Sequence, residues 1–166
     1  MLVTCHVPRA TLETVVVRLL TDRQLTLATA ESCTGGLLAH WVTNVPGASA
    51  VFLGGIVAYS NAAKRKFLGV RANTLARHGA VSRAVARAMA EGARAKFGAD
   101  FALAVTGIAG PAGGTRAKPV GTVFIALAGA RGTMVEDRFN PGGRERFKDL
   151  TVRQALELLR TRLAND

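Results

Sequence analysis

Leu25-Thr26-Leu27-Ala28-Thr29-Ala30 runs directly into Glu31-Ser32-Cys33-Thr34-Gly35-Gly36, and that into Leu37-Leu38-Ala39-His40-Trp41-Val42. A short apolar run, a tight polar turn and a helical pattern in succession read as strand, turn, helix. The unit predicts an α/β fold and places the Ser32 hydroxyl at a helix start. Unpaired backbone N–H groups and the positive end of the helix dipole gather there. That setting suits holding an anion or attacking a carbonyl.

Working outward, Ala10–Arg23 carries Leu12, Val15, Val16, Leu19 and Leu20 at helical spacing, with Pro8 placed to open it. Residues 36–45 read as a helix stopped by Pro46-Gly47. Val51–Tyr59 reads as a second strand whose Gly54-Gly55 pair suggests a bulge or a close approach. Asn61 is placed to cap a short helix through Leu68, with Gly69 ending it, and 74–78 forms one more turn. Ser82 caps a helix over 83–97, which Gly98 ends. Strands follow at 100–106, 120–128 and 134–139, the last two joined around Gly129-Ala130-Arg131-Gly132 as a hairpin. A glycine-rich loop fills 107–119, and 144–163 is a closing helix. Helices between the first three strands make them parallel, and the order of elements predicts a three-layer α/β/α sandwich.

The 166 residues read as one domain, residues 1–166, with enough chain for a sizeable core. Hydrophobic residues make up 49%, and no run approaches the ~18 that mark a membrane span. Residues 1–9 lack the charge and apolar pattern of a signal peptide, so the expectation is cytoplasmic, with no membrane partner. Two cysteines, Cys5 and Cys33, form neither a metal spacing nor a disulfide framework. The net charge of +11 invites a polyanionic partner. The arginines are scattered, however, and aromatics are only 5%, which leaves little to stack on bases, so nucleic acid is not the expected partner.

The lone tyrosine, Tyr59, and one of few lysines, Lys64, follow the second strand in Tyr59-Ser60-Asn61-Ala62-Ala63-Lys64. A serine needs a base to become a nucleophile. His6, His40 and His78 fall in no triad motif, and a lysine can serve as that base once its pKa falls towards ~7–8. Burial and the neighbouring Arg65 and Lys66 both push that way. Each residue also has an ordinary reading: Ser32 as an N-cap, Tyr59 as a strand end, Lys64 as a solvated lysine. Cys33, without a histidine partner, reads as a small packing residue, and Trp41 as core. The 107–114 loop matches no phosphate-loop pattern.

Five separated motifs raise the functional reading over the ordinary one: 30–36, 59–64, His78-Gly79-Ala80-Val81-Ser82, Thr106-Gly107-Ile108-Ala109-Gly110-Pro111 and Lys118-Pro119-Val120-Gly121-Thr122-Val123. In that order, over about Thr11 to Leu163, the chain resembles the CinA C-terminal domain family, which includes stand-alone nicotinamide-nucleotide amidohydrolases with names drawn from competence and damage induction. The resemblance implies a mixed five-stranded sheet in order 2-1-3-4-5 with strand 4 antiparallel. It implies hydrolysis of nicotinamide mononucleotide to nicotinate mononucleotide and ammonia, a step of pyridine nucleotide salvage, by a trio carried onto Ser32, Tyr59 and Lys64. It implies no cofactor, no metal and a homo-oligomer. Backbone groups of Cys33, Thr34, Gly35 and Gly36 are candidates to hold the substrate or its oxyanion. Asn61, Thr106, Gly107, Gly110 and Arg144 are candidates for its anionic end. The chain departs from the family at Gly143, where an acid is usual, in an extra residue at Asn140-Pro141, and at Lys148 in place of arginine. The alternative reading is a non-catalytic module that binds a nucleotide or anion and regulates a partner.

Overall fold

The computed structural model describes residues 10–165. Cys5, His6, Pro8 and the signal-peptide reading of 1–9 lie outside them. The element order is α1 (Leu12–Asp22), β1 (Leu27–Glu31), α2 (Leu37–Thr43), β2 (Phe52–Val57), α3 (Asn61–Leu68), α4 (Ala72–His78), α5 (Arg83–Phe97), β3 (Phe101–Gly107), β4 (Thr122–Gly129), β5 (Gly132–Phe139) and α6 (Arg144–Ala164). The sheet runs β2-β1-β3-β4-β5. β1 is parallel to both neighbours, and β4 is antiparallel to β3 and β5. The expected order and the antiparallel fourth strand are both present. No helix among the described residues is long and apolar enough to cross a membrane.

Strand side chains alternate between the two faces, and the two faces differ in size. Leu27, Leu103, Val105, Val123, Ile125 and Leu127 pack against α1, α2 and α6. Ala28, Ala30, Ala102, Ala104, Ala126 and Ala128 pack with Val85, Ala86, Met89 and Ala90 of α5. The alanine face lets α5 lie close to the sheet. The branched face needs more depth, which three helices supply.

Several local readings shift. The helix expected over 36–45 runs from Leu37 to Thr43: Gly36 takes a left-handed conformation, with φ of 102°, and so caps the helix instead of starting it. Ser60 rather than Asn61 caps α3, its hydroxyl accepting from the Ala63 N–H. The turn at 74–78 is a full helix from Ala72. Both readings of Gly54-Gly55 hold: the pairing with β1 slips by one residue there. A Cβ on Gly54 would stand 2.5 Å from the Phe97 ring, and one on Gly55 2.4 Å from Thr29 Oγ1. Trp41 is half-buried against the core with Arg153 over its ring.

Thr29 is fully buried and its hydroxyl has no partner. A hydroxyl without a hydrogen bond in such surroundings costs about 1–3 kcal/mol. Thr29→Val is therefore expected to raise the melting temperature by about 2–4 °C per kcal/mol recovered, read by thermal denaturation. An unchanged or lower midpoint would mean that the hydroxyl is satisfied in solution.

Candidate active site

The carboxyl ends of parallel strands β1, β2 and β3 meet at one edge of the sheet. β1 sits between β2 and β3, so the chain leaves β1 towards one face and β2 towards the other. Such a switch point is where open α/β sheets leave a crevice for ligands. Ser32 begins the turn after β1, its N–H donating to the Val105 carbonyl of β3 at 3.1 Å. The turn closes through two successive glycines with positive φ, Gly35 at 62° and Gly36 at 102°, a conformation that side chains with a Cβ adopt at a cost.

Lys64 lies on the second turn of α3, and its side chain runs inward until the residue is 1% exposed. Its Nζ stands 2.9 Å from Ser32 Oγ, 2.9 Å from the Ala58 carbonyl and 3.5 Å from the Tyr59 carbonyl. Carbonyls only accept, so of these three neighbours only the serine hydroxyl can donate a proton. A neutral amine, with two N–H bonds and one lone pair, satisfies all three. Burial pulls the Lys64 pKa below the ordinary lysine value. Arg65 and Lys66, expected to contribute to that shift, are exposed.

Tyr59 joins this group through its main chain. Its phenol is exposed and accepts from Arg144 Nη2 at 2.5 Å, while Arg144 Nη1 donates to the Gly110 carbonyl at 3.1 Å. Arg144, at the first turn of α6, thus ties the end of β2 to the 107–119 loop. The phenolic proton is left free to donate elsewhere. Cys33 is buried in the core, and burial is the main cause that pushes its thiol pKa up to about 12. It stays a thiol at neutral pH and is no rival nucleophile.

The turn holds a residue that sequence reasoning passed over. Glu31 ends β1, is 1% exposed, and turns its carboxylate onto the start of α2. One oxygen accepts from the Thr34 hydroxyl at 2.7 Å and from the N–H groups of Gly36 and Leu38, both at 3.0 Å. The other accepts from Ala39 N–H at 2.9 Å. The helix start expected to receive a ligand anion is filled by the protein's own carboxylate. An acid one residue before a turn rich in small polar residues was the available signal. Gly35 N–H is also spent, on the Ser32 carbonyl, and Leu37 N–H on that of Thr34.

The sequence model of the CinA C-terminal domain matches residues 9–163. The chain belongs to the CinA C-terminal domain family. It is 57% identical over 152 residues to a CinA-like protein of Anaeromyxobacter, covering 92% of this chain and 37% of that protein. A CinA-like protein of Geobacter sulfurreducens is 54% identical over 92% of this chain and 37% of its own length. The chain thus spans little more than a third of the curated relatives it matches. Among solved structures, the competence/damage inducible protein CihA of Agrobacterium tumefaciens superposes with a TM-score of 0.86 at 45% identity, covering 94% of this chain and 97% of that one. A CinA superfamily protein of Klebsiella pneumoniae gives 0.90 at 40% identity, covering 93% and 97%.

Within this CinA fold Thr106, Gly107 and Gly110 are engaged in internal contacts. Thr106 is buried and its hydroxyl donates to the Ala80 carbonyl at 2.9 Å, pinning the segment before α5 to the end of β3. A Cβ on Gly107 would come within 2.9 Å of Phe147, the Thr122 carbonyl and Val123, and one on Gly110 within 2.5 Å of Val120. Those glycines serve internal packing. Asn61 is exposed on the first turn of α3. The 107–119 loop is tied down further by Lys118 Nζ, which donates to the carbonyls of His78 and Val81. His40 and His78 are both exposed, His40 pairing with Asn44. Lys148 Nζ lies 3.9 Å from where a Cβ of Gly35 would stand, so a cation overlooks the turn. Among the described residues no group of three or more His, Cys, Asp or Glu is placed to hold a metal ion. A cavity of about 600 Å³ between α6 and β5, lined by Met134, Glu136, Arg138 and Leu158, includes no residue of this constellation.

Proposed function

We propose that this CinA domain is an amidohydrolase that converts nicotinamide mononucleotide to nicotinate mononucleotide and ammonia, with Ser32 as nucleophile and Lys64 as base. The observation that carries the reading is the 2.9 Å contact between Ser32 Oγ and a buried lysine amine whose pKa is lowered. A lysine placed for solubility does not bury its amine on a serine.

Ser32 Oγ attacks the carboxamide carbon while its proton passes to Lys64 Nζ. Of the N–H groups from Ser32 to Ala39, those of Cys33 and Thr34 alone have no oxygen acceptor in the described structure. Both lie against the Cys33 thiol, a weak acceptor, and are the donors we assign to the tetrahedral oxyanion. The carbon–nitrogen bond then breaks, and the nitrogen leaves as ammonia with the proton that Lys64 took from Ser32, passed on directly or relayed through the Tyr59 phenol. Water attacks the acyl-enzyme and gives its proton to Lys64, which returns it to Oγ as the carbon–Oγ bond breaks, restoring both Ser32 and the neutral amine. Arg144, bonded to the Tyr59 phenol, and Lys148, which overlooks the turn, would face the substrate phosphate. A homo-oligomer remains part of this proposal.

The test is ammonia release from nicotinamide mononucleotide, with nicotinate mononucleotide identified as co-product. Because the working form of Lys64 is the uncharged amine, kcat/KM is expected to rise tenfold per pH unit below its lowered pKa and to level above it. Release of no ammonia, with binding of the nucleotide intact, would instead support the non-catalytic module. A profile flat down to pH 5 would remove Lys64 as base.

A further inference from the structure

Glu31 has no part in the bond-making steps above, yet its side chain is almost wholly buried and carries four donors. A carboxylate taken out of water to this extent is costly unless fully hydrogen-bonded. Here it accepts from both sides of the turn: from the Thr34 hydroxyl within it and from α2 beyond it. Its own main chain is clamped as well, the carbonyl accepting from Ala58 N–H at 2.8 Å and the residue pairing in register with Val57 and Val105. Ser32 is therefore the first residue past a fixed point, and Thr34 and Gly36 beyond it are held by that same carboxylate.

We propose that Glu31 is a positioning residue for acyl transfer, its carboxylate locking the turn through Thr34 and Gly36 so that Ser32 Oγ is held against Lys64 Nζ. This rests on the hydrolase reading above, since positioning matters only if Ser32 reacts. The physical ground is that displacement of a reacting atom by ~1 Å costs about 10²-fold in rate. A turn with two left-handed glycines has little stiffness of its own.

The decisive variant is Glu31→Gln. The glutamine oxygen can keep the three donors that share one carboxylate oxygen, but its amide then points N–H groups at the Ala39 N–H. The expected result is kcat for ammonia release lower by roughly 10²-fold, with KM changed by less than about threefold, at a temperature where circular dichroism shows wild-type fold. Thr34→Val removes one of the four contacts and keeps the fold if the glutamine variant does not. It is expected to lose about tenfold in kcat on the same terms. A helix cap with no further role would lower the melting temperature and leave kcat unmoved, and that result in both variants overturns the inference.

A second readout is independent of the substrate. A fluorophosphonate probe forms a bond from Ser32 Oγ to phosphorus as the phosphorus–fluorine bond breaks, fluoride leaving and the serine proton passing to Lys64. Glu31→Gln is expected to slow this labelling by a similar factor, and labelling at the wild-type rate overturns the inference. Wild-type protein that is labelled on Ser32 but releases no ammonia from nicotinamide mononucleotide would sink the substrate assignment and leave Glu31 to be judged on the labelling. Wild-type protein that is not labelled sinks both.

Discussion

Lys64→Met and Ser32→Ala are each expected to lower ammonia release from nicotinamide mononucleotide by at least about 10³-fold, and the double variant no further than either alone. The two side chains work as one device: the amine takes the proton that the hydroxyl must lose, and neither half acts without the other. Their separation of 2.9 Å leaves no room for a water to substitute. Methionine is chosen because it is unbranched and fills similar space without charge. In the unfolded chain the Lys64 amine is protonated at neutral pH, and burial in the folded state opposes that charge. Methionine removes this conflict, so the variant is expected to fold. Loss of activity with an intact melting transition, and with the nucleotide still bound in calorimetry, is the result that supports the dyad. Lys64→Met retaining more than a tenth of wild-type kcat would end the role of Lys64. Additive losses in the double variant would mean that the two residues act in separate steps.

Gly92→Ala is expected to destabilise the fold by about 3 kcal/mol, lowering the melting temperature by roughly 6–12 °C. The sign is the informative part. Gly92 lies within α5, and glycine to alanine inside a helix ordinarily gains about 0.5–1 kcal/mol. Here a Cβ would stand 1.9 Å from the Leu68 carbonyl oxygen and 2.8 Å from its carbon. Those are backbone atoms at the end of α3, and they cannot swing aside as a side chain would. α3 must retreat from α5, taking with it the helix that carries Lys64. Ammonia release is therefore expected to fall together with stability. A Gly92→Ala protein that melts at or above the wild-type temperature would mean that the two helices are less tightly apposed than described.

Elements whose ends carry their own chemical markers were legible from residues alone. α5 begins and ends where Ser82 and Gly98 place it, because a hydroxyl cap and a left-handed glycine act within one turn. The β4–β5 hairpin closes on the Gly129–Gly132 pair for the same reason. α2 is shorter than the 36–45 expected, by one residue at its start, where Gly36 is left-handed, and by two at its end. Ser60 took the cap assigned to Asn61, a choice between adjacent polar residues that local spacing does not resolve. Tyr59 was grouped with Ser32 and Lys64, and its phenol pairs with Arg144 from 85 residues away. Glu31 escaped notice because an acid at a strand end looks solvated until its burial is known.

The order of apolar runs, glycines and caps along this chain determined the alternation of helices with strands, since those signals act over a few residues. The motifs in sequence pointed to the CinA family and through it to the strand order. What only the tertiary structure decided is the state of its charges. Lys64 and Glu31 are ordinary ionisable residues in the sequence, and the packing of α3 against α5 and of α2 onto β1 accompanies the burial of both. Burial is a property of neighbours distant in the chain. It turns one amine towards a base and one carboxylate into an internal anchor, because a buried charge must either find partners or give up its charge.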